Sequence, residues 1–396
     1  MVWNSSFLKP NFMATLSREV IRKLNEVVRP FCASIYLPTH QTGDPAVQQA
    51  NARALKQQLK ILREKLEKEG MSPSAIESYT LPLENLVRES GFWRKRTEGI
   101  AVFLSDQRMD DYPLPFPPEP RLFLANHFYL QPLLSCFSDD GQYFVLNLAL
   151  ENIRFFKGSK YSFSEEDIAA WVPGNIEAVV GYDYRPRNTQ VRSFPGMQQG
   201  ASYHGYGEGK DDRKTEIMRY IREVEKGISK KLNGEDAPLV LTGTDYLVQT
   251  YRNFNAYLGL YPESLAGNQQ HIGLEELHQK TWALVSPHFT APRLRHRARF
   301  QQFQDTPQTS SDIAEVLPAA LYGKVEALFI RKNTDIWGIY DPARAAVEIN
   351  PGPGRANTSL TGLAAIQTFL QGGQVYLSSP EEMPFEEAVV CALYRY

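Results

Sequence analysis

The chain is 396 residues long, enough for two or three domains that each bury a core, which excludes a single small domain. Lys and Arg number 43 and Asp and Glu 45, so the net charge of −2 excludes a general nucleic-acid coat; any RNA contact needs a local patch. Apolar residues at 42% and charged residues at 22% exclude extended disorder and collagen-like or coiled-coil composition.

Cys32, Cys136 and Cys391 each sit in an apolar run, far apart and without ligand spacing, and are expected to be buried reduced thiols rather than a disulfide framework or zinc ribbon. The first 20 residues lack the basic start and apolar core of a signal peptide. No run approaches the ~18 apolar residues that span a bilayer. The cytoplasm is therefore the expected compartment, with no membrane partner.

In chain order, a helix is expected from Leu16 to Val28, stopped by Pro30, then a strand over CASIYLP ended by Pro38. Leu55, Leu59, Leu62 and Leu66 recur at intervals of four, three and four, which places one leucine stripe on a helix from Val47 to Lys68. A second helix, Ser74 to Glu89, precedes the strand GIAVFLS, and proline-rich turns then alternate with extended pieces to about Leu130. QYFVLNLALENIRFFKG starts a new unit as two antiparallel strands around Glu151 and Asn152.

From Gly181 to Lys214 the pattern dissolves into a polar, glycine-rich loop too long for an ordinary connection. Ile217, Ile221, Val224, Ile228 and Leu232 then mark a helix, residues 237–243 a buried strand, and Tyr246 to Leu258 another helix. The stretch that follows is largely helical with a break expected at Pro292, a domain boundary at 285–300, and a polar linker around Pro307 to Ser311. Beyond it come a helix at Ile313 to Leu321, the strand VEALFIR, the pieces WGIYDP and AVEIN, a helix at Leu360 to Leu370, the strand QVYLS and the closing VVCALYRY. No equal-length repeat emerges.

Two local features carry candidate chemistry. In SYHGYGEGKDDRK, Gly205, Gly207 and Gly209 free the backbone for close approach beside His204 and Lys210, an arrangement suited to phosphate or RNA; Asp211 or Asp212 can cap the next helix. Neither GxGxxG nor GxxxxGK[ST] is present, so nucleotide hydrolysis is not expected, and a mobile surface loop is the alternative. Arg293, Arg295, Arg297 and Arg299 flank His296, and on a helix the pairs 293/297 and 295/299 stack one turn apart as two positive stripes. Guanidinium forks match phosphate oxygens; a solvated face paired with nearby acids is the equal alternative. FWRKR, Phe92 to Arg96, is expected to serve packing. Isolated histidines and the pairs Asp110–Asp111, Asp139–Asp140 and Asp211–Asp212 have no metal-ligand spacing, and no nucleophile elbow is present, so no metal, cofactor or catalytic residue is assigned.

Taken in order, CASIYLPTH, GFWRKRTEGIAVFLS, YFVLNLALENIRFFKG, HGYGEGKDD, APLVLTGTDYL, EVLPAALYGKVEALFI and VVCALYRY resemble the bacterial homologues of archaeo-eukaryotic release factors, relatives of the eukaryotic class-one release factor and Pelota. The resemblance implies α/β and α+β architecture in three domains. These are an N-terminal α/β domain over 1–130, a central RNase H-like domain with the long glycine-rich loop over 131–295, and a C-terminal α/β sandwich over 296–396, similar to the kink-turn-binding ribosomal-protein fold. The implied partners are the ribosome, through ribosomal RNA and peptidyl-tRNA, and a delivering translation GTPase. His204, Gly205, Gly207, Gly209, Lys210 and the four arginines would then contact RNA.

Release factors carry GGQ in the central loop, where it helps water attack the peptidyl-tRNA ester; here that loop has none, which puts hydrolysis in doubt. Gly372-Gly373-Gln374 does spell GGQ, but it follows an apolar helix and leads into a strand, so a helix cap is expected there. The leading expectation is an A-site factor acting in rescue, recycling or hibernation. The alternatives are a peptidyl-tRNA hydrolase or a metal-dependent nuclease, and a protein-binding scaffold.

Overall fold

A computed structural model describes residues 16–40, 45–93, 97–181, 208–267, 269, 271–354 and 357–396. In chain order the elements are α1 Arg18–Asn25, β1 Val28–Pro38, α2 Pro45–Lys68, α3 Pro73–Arg88, β2 Gly99–Leu104, β3 Met109–Leu114, β4 Arg121–His127, β5 Tyr143–Leu148, β6 Arg154–Gly158 and β7 Phe163–Glu166. There follow α4 Glu208–Lys231, β8 Leu239–Gly243, α5 Asp245–Phe254, β9 Leu260–Ala266, α6 Leu274–Gln302, β10 Thr309–Ser310, α7 Ile313–Leu321 and β11 Val325–Arg331. The chain closes with β12 Trp337–Asp341, β13 Ala346–Asn350, β14 Thr358–Ser359, α8 Leu360–Leu370, β15 Gln374–Ser378 and β16 Val390–Tyr394. The fold is mixed α/β with several sheets, and it divides into two compact units: residues 1–138 with 292–396, and residues 139–291.

The first unit is built on the antiparallel sheet β3-β2-β1-β4. Side chains alternate across a strand, so Ala33, Ile35 and Leu37 of β1 face a core with the leucine stripe of α2, whose Leu55, Leu59, Leu62 and Leu66 are all buried. Cys32 and Tyr36 point the other way, into a core that includes Leu317 of α7, Leu328 of β11 and Ala365 of α8. Both ends of the chain thus share one hydrophobic core. Pro30 does not stop a helix, because Ser17 caps α1 and the helix ends at Asn25; Pro30 lies inside β1, where the register with β4 shifts between Val28 and Cys32, as a residue without an N–H requires.

A second sheet, β10-β16-β11-β15, lies between two cores. Leu328 and Ile330 of β11 join the shared core with α7 and α8, while Ala327 and Phe329 pack with Phe300 of α6. The expected linker at Pro307 to Ser311 is partly strand: Thr309 and Ser310 pair with Leu393 and Ala392. A small sheet β13-β12-β14 completes this unit.

The second unit holds the sheet β7-β6-β5-β8-β9, in which β7, β6 and β5 run antiparallel and β8 and β9 continue parallel to β5. Phe144, Leu146 and Leu241 pack under α4 and α5; Val145, Val240 and Phe156 face Leu277 and Val285 of α6. Helix α4 begins at Glu208, earlier than expected, so Asp211 and Asp212 stand inside it rather than at its cap.

Helix α6 is continuous through Pro287 and Pro292, where a break was expected, and the division between the two units falls at 291/292 within it. A proline removes the N–H that would serve the carbonyl four residues back. For Pro287 that carbonyl is Ala283, which accepts a hydrogen bond from Ser286 Oγ at 3.4 Å instead.

Leu62 is fully buried against β1, so Leu62→Ala is expected to cost about 2–5 kcal/mol. Amide hydrogen exchange on β1 and β2 should accelerate, with β5 and β8 of the other unit as internal reference.

Candidate nucleic-acid interface

On the C-terminal part of α6, Arg293, His296 and Phe300 recur at helical spacing and form the side turned toward the second sheet. Phe300 is buried, Arg293 donates to Glu382 Oε1 at 2.8 Å, and Arg299 donates to Glu326 Oε1 at 2.5 Å. At 3.6 residues per turn, Arg295 and Arg297 lie about 100° to either side of His296. Arg295 is exposed and Arg297 half-buried, and neither has an ion-pair partner among the described residues. Each expected stripe is therefore divided: in 293/297 the first arginine is held by an acid, and in 295/299 the second. The expected pairing with nearby acids is thus met by Arg293 and Arg299 alone.

His296 Nε2 lies 3.5 Å from Glu326 Oε1, and Nδ1 is 3.0 Å from the hydroxyl of Tyr376. Burial holds its pKa below the usual histidine value; Glu326 pulls it up, while Arg299 and Arg295 push it down. Burial likewise depresses His127.

His204, Gly205 and Gly207 lie outside the described residues. Gly209 and Lys210 belong to the first turn of α4. Gly372-Gly373-Gln374 forms the expected helix end: Gly372 has φ +84°, its N–H donates to Phe369 O at 3.1 Å, and Gly373 N–H donates to Thr368 O at 2.8 Å. These two bonds close α8 in a Schellman turn, and Gln374 starts β15. In FWRKR, Phe92 and Trp93 are buried edge to face at 4.8 Å, and Trp93 Nε1 donates to Leu86 O at 3.1 Å. Arg94 to Arg96 lie outside the described residues.

On the sheet of the second unit the buried polar pair is Asn147 and Thr242, with Thr242 Oγ1 donating to Asn147 Oδ1 at 3.2 Å. An amide and a hydroxyl stand there rather than paired carboxylates. Asp140 accepts from the N–H groups of Gly141 at 2.8 Å and Lys160 at 2.7 Å, and burial raises its pKa. Among the described residues no group of three or more His, Cys, Asp or Glu could hold a metal ion, and no helix is long and apolar enough to cross a membrane. The aromatic set Phe123, Tyr129 and Trp337 has no counterpart among the sequence expectations, because no local spacing connects its members.

Because folding depresses the pKa of His296 and His127 below 6.5, the unfolded chain binds more protons in the window beneath that value, and stability rises with pH through it. The folded state should keep its full stability above 6.5 and lose part of it on acidification. His296→Gln should flatten that slope when denaturant midpoints at about pH 7.5 and about pH 5.5 are compared.

Residues 143–287, nearly all of the second unit, match the family model of bacterial archaeo-eukaryotic release factor family 7. No curated protein matches the chain. Among solved structures, the archaeal translation termination factor aRF1 is 12% identical over 98% of this chain and 100% of its own, with a TM-score of 0.24. Dom34 of S. cerevisiae, a translation termination-like factor involved in RNA quality control, is 12% identical over 75% of this chain and 79% of its own, with a TM-score of 0.35. Archaeoglobus fulgidus Pelota is 11% identical over the same shares, 75% and 79%, with a TM-score of 0.30. All three scores are low, and the similarity rests on the family match. Through residues 143–287 the chain is similar to bacterial archaeo-eukaryotic release factor family 7.

Proposed function

We propose that this chain is a ribosome-associated, release-factor-like protein that enters the A site in ribosome rescue, recycling or hibernation. The observation that carries the reading is the family match over residues 143–287. The contact chemistry is supplied by Arg295 and Arg297, two cations on α6 that no acid of the described residues neutralises. Guanidinium groups without an internal partner suit phosphate oxygens of ribosomal RNA. Arg293 and Arg299, already paired, hold α6 to the second sheet and contribute to RNA binding through placement.

In this reading the residues from 183 to 214, with His204, Gly205, Gly207, Gly209 and Lys210, approach ribosomal RNA, and a translation GTPase delivers the protein. The three-part division at 130 and 295 belongs to the same proposal. An RNase H-like central domain is supported by the five-stranded sheet, an antiparallel meander extended by two parallel strands with α4 and α5 packed on it. A C-terminal domain like the kink-turn-binding fold is supported by the sheet β10-β16-β11-β15 with helices on both faces. Peptide release is not part of the proposal: the central loop has no GGQ, and the GGQ at 372–374 closes a helix.

Co-sedimentation with vacant bacterial ribosomes at graded salt tests the reading. Affinity should fall steeply as salt rises, and replacing both Arg295 and Arg297 by Ala should reduce the steepness of log affinity against log salt by about 2, one for each phosphate that is no longer neutralised. Replacing Arg293 and Arg299 instead should lower resistance to denaturant. Absent or salt-independent binding would overturn the proposal.

A further inference from the structure

A cavity of about 260 Å³ opens beside β4, where the last turn of α2 meets the strand and the small sheet of β12 to β14. Its wall contains three rings whose planes lie within about 30° of one another. Phe123 and Tyr129 are 3.9 Å apart at 30°, Phe123 and Trp337 6.0 Å apart at 28°, and Tyr129 and Trp337 6.5 Å apart at 25°. Such a set presents π-faces on which another planar ring can continue the stack.

The platform is held from several sides. Tyr129 donates its backbone N–H to Ser34 Oγ at 2.9 Å, accepts the Tyr36 hydroxyl on its carbonyl at 2.6 Å, and donates its own hydroxyl to Asp335, 3.1 Å from each carboxylate oxygen. Asp335 also accepts from Ser359 Oγ at 2.5 Å. Burial and the Asp335 charge keep the Tyr129 phenol protonated. The carboxylate is thus turned to internal hydroxyls, and the rings need little ordering when a ligand arrives.

Lys65 and Lys68 stand on the cavity rim. Because β4 is an edge strand, its Leu122 carbonyl is open to a side chain, and Lys65 Nζ donates to it at 3.4 Å. Lys65 is an exposed residue, but partial desolvation beside β4 and the charge of Lys68 both lower its pKa, an effect that an anion would offset. Glu69 borders the same rim, so two cations face one carboxylate and the excess charge suits one phosphate better than a polyphosphate chain. The volume falls just below the ~300–1,000 Å³ of drug-sized sites, which limits the occupant to about the size of one mononucleotide.

We propose that this cavity binds one nucleotide, its base stacked on the Phe123, Tyr129 and Trp337 rings and its phosphate held by Lys65 and Lys68. The site stands independently of ribosome binding, and either a free mononucleotide or an unstacked nucleotide of an RNA strand has the required chemistry.

Calorimetric titration of the full chain with AMP, adenosine, ribose 5-phosphate and single-stranded pentaadenylate separates these cases. AMP should bind, and adenosine and ribose 5-phosphate should each bind about tenfold more weakly or worse, since each carries only one of the two recognised groups. The double reversal Lys65→Glu with Lys68→Glu, on exposed side chains, should bring AMP down to the level of adenosine. Trp337→Leu should weaken AMP and adenosine alike; if that variant fails to fold, the lysine pair still decides. Binding of pentaadenylate without AMP assigns the site to an RNA strand and keeps the base-plus-phosphate chemistry. Binding of neither at millimolar concentration, or AMP binding indifferent to the lysine reversal, overturns the proposal.

Discussion

One sheet buried on both faces organises the first unit. In FCASIYL of β1, odd positions pack on α2 and α3, and even positions enter a core shared with the last third of the chain. A strand in that position has no solvent face, which is why its sequence is an almost unbroken apolar run instead of an alternating one. Ser34 is the exception, and its fully buried hydroxyl is occupied by the backbone N–H of Tyr129. From this arrangement the cavity follows: β4 must be an edge strand, its outer carbonyl must find a side chain, and Tyr129 just beyond it is locked between β1 and Asp335.

Local periodicity made most elements legible. The stripe Leu55 to Leu66, the hairpin of β5 and β6 and the helices at 313–321 and 360–370 all follow from spacing that burial enforces directly. Proline was the poorer guide. Pro30 lies in a strand whose register shifts there, and Pro287 lies in a helix whose orphaned carbonyl takes the hydroxyl of the adjacent Ser286, so neither proline ends its element. Nor does any spacing announce that residues 1–138 and 292–396 form one unit; that depends on which apolar faces meet, a tertiary fact.

The candidate interface was legible in the same partial way. Four arginines at alternate positions on a helix are visible in the sequence, but which of them serve the fold is decided by Glu326 on β11 and Glu382 beyond β15. Those acids are brought to α6 only when the second sheet forms. Helical geometry then sorts the set, since a side chain within about 60° of the seam reaches a carboxylate and one about 100° away does not. The aromatic platform was invisible for a related reason: Phe123 and Trp337 lie far apart in the sequence, and each alone looks like an ordinary core residue.

This sorting bears on where a nearly neutral chain keeps charge open to an external polyanion. Removing a paired arginine such as Arg299 leaves Glu326 half-buried with a weakened partner, so any loss of binding would be confounded with loss of fold. Removing an unpaired one changes only the field outside. Cations that the fold leaves without an acid among the described residues, including Arg295 and Arg297 on α6 and Lys65 and Lys68 at the cavity rim, are the ones whose charge is open to an external anion. Net charge averages these with every neutralised pair and conceals them; on α6 a local excess survives because Glu326 and Glu382 are already engaged by Arg299 and Arg293.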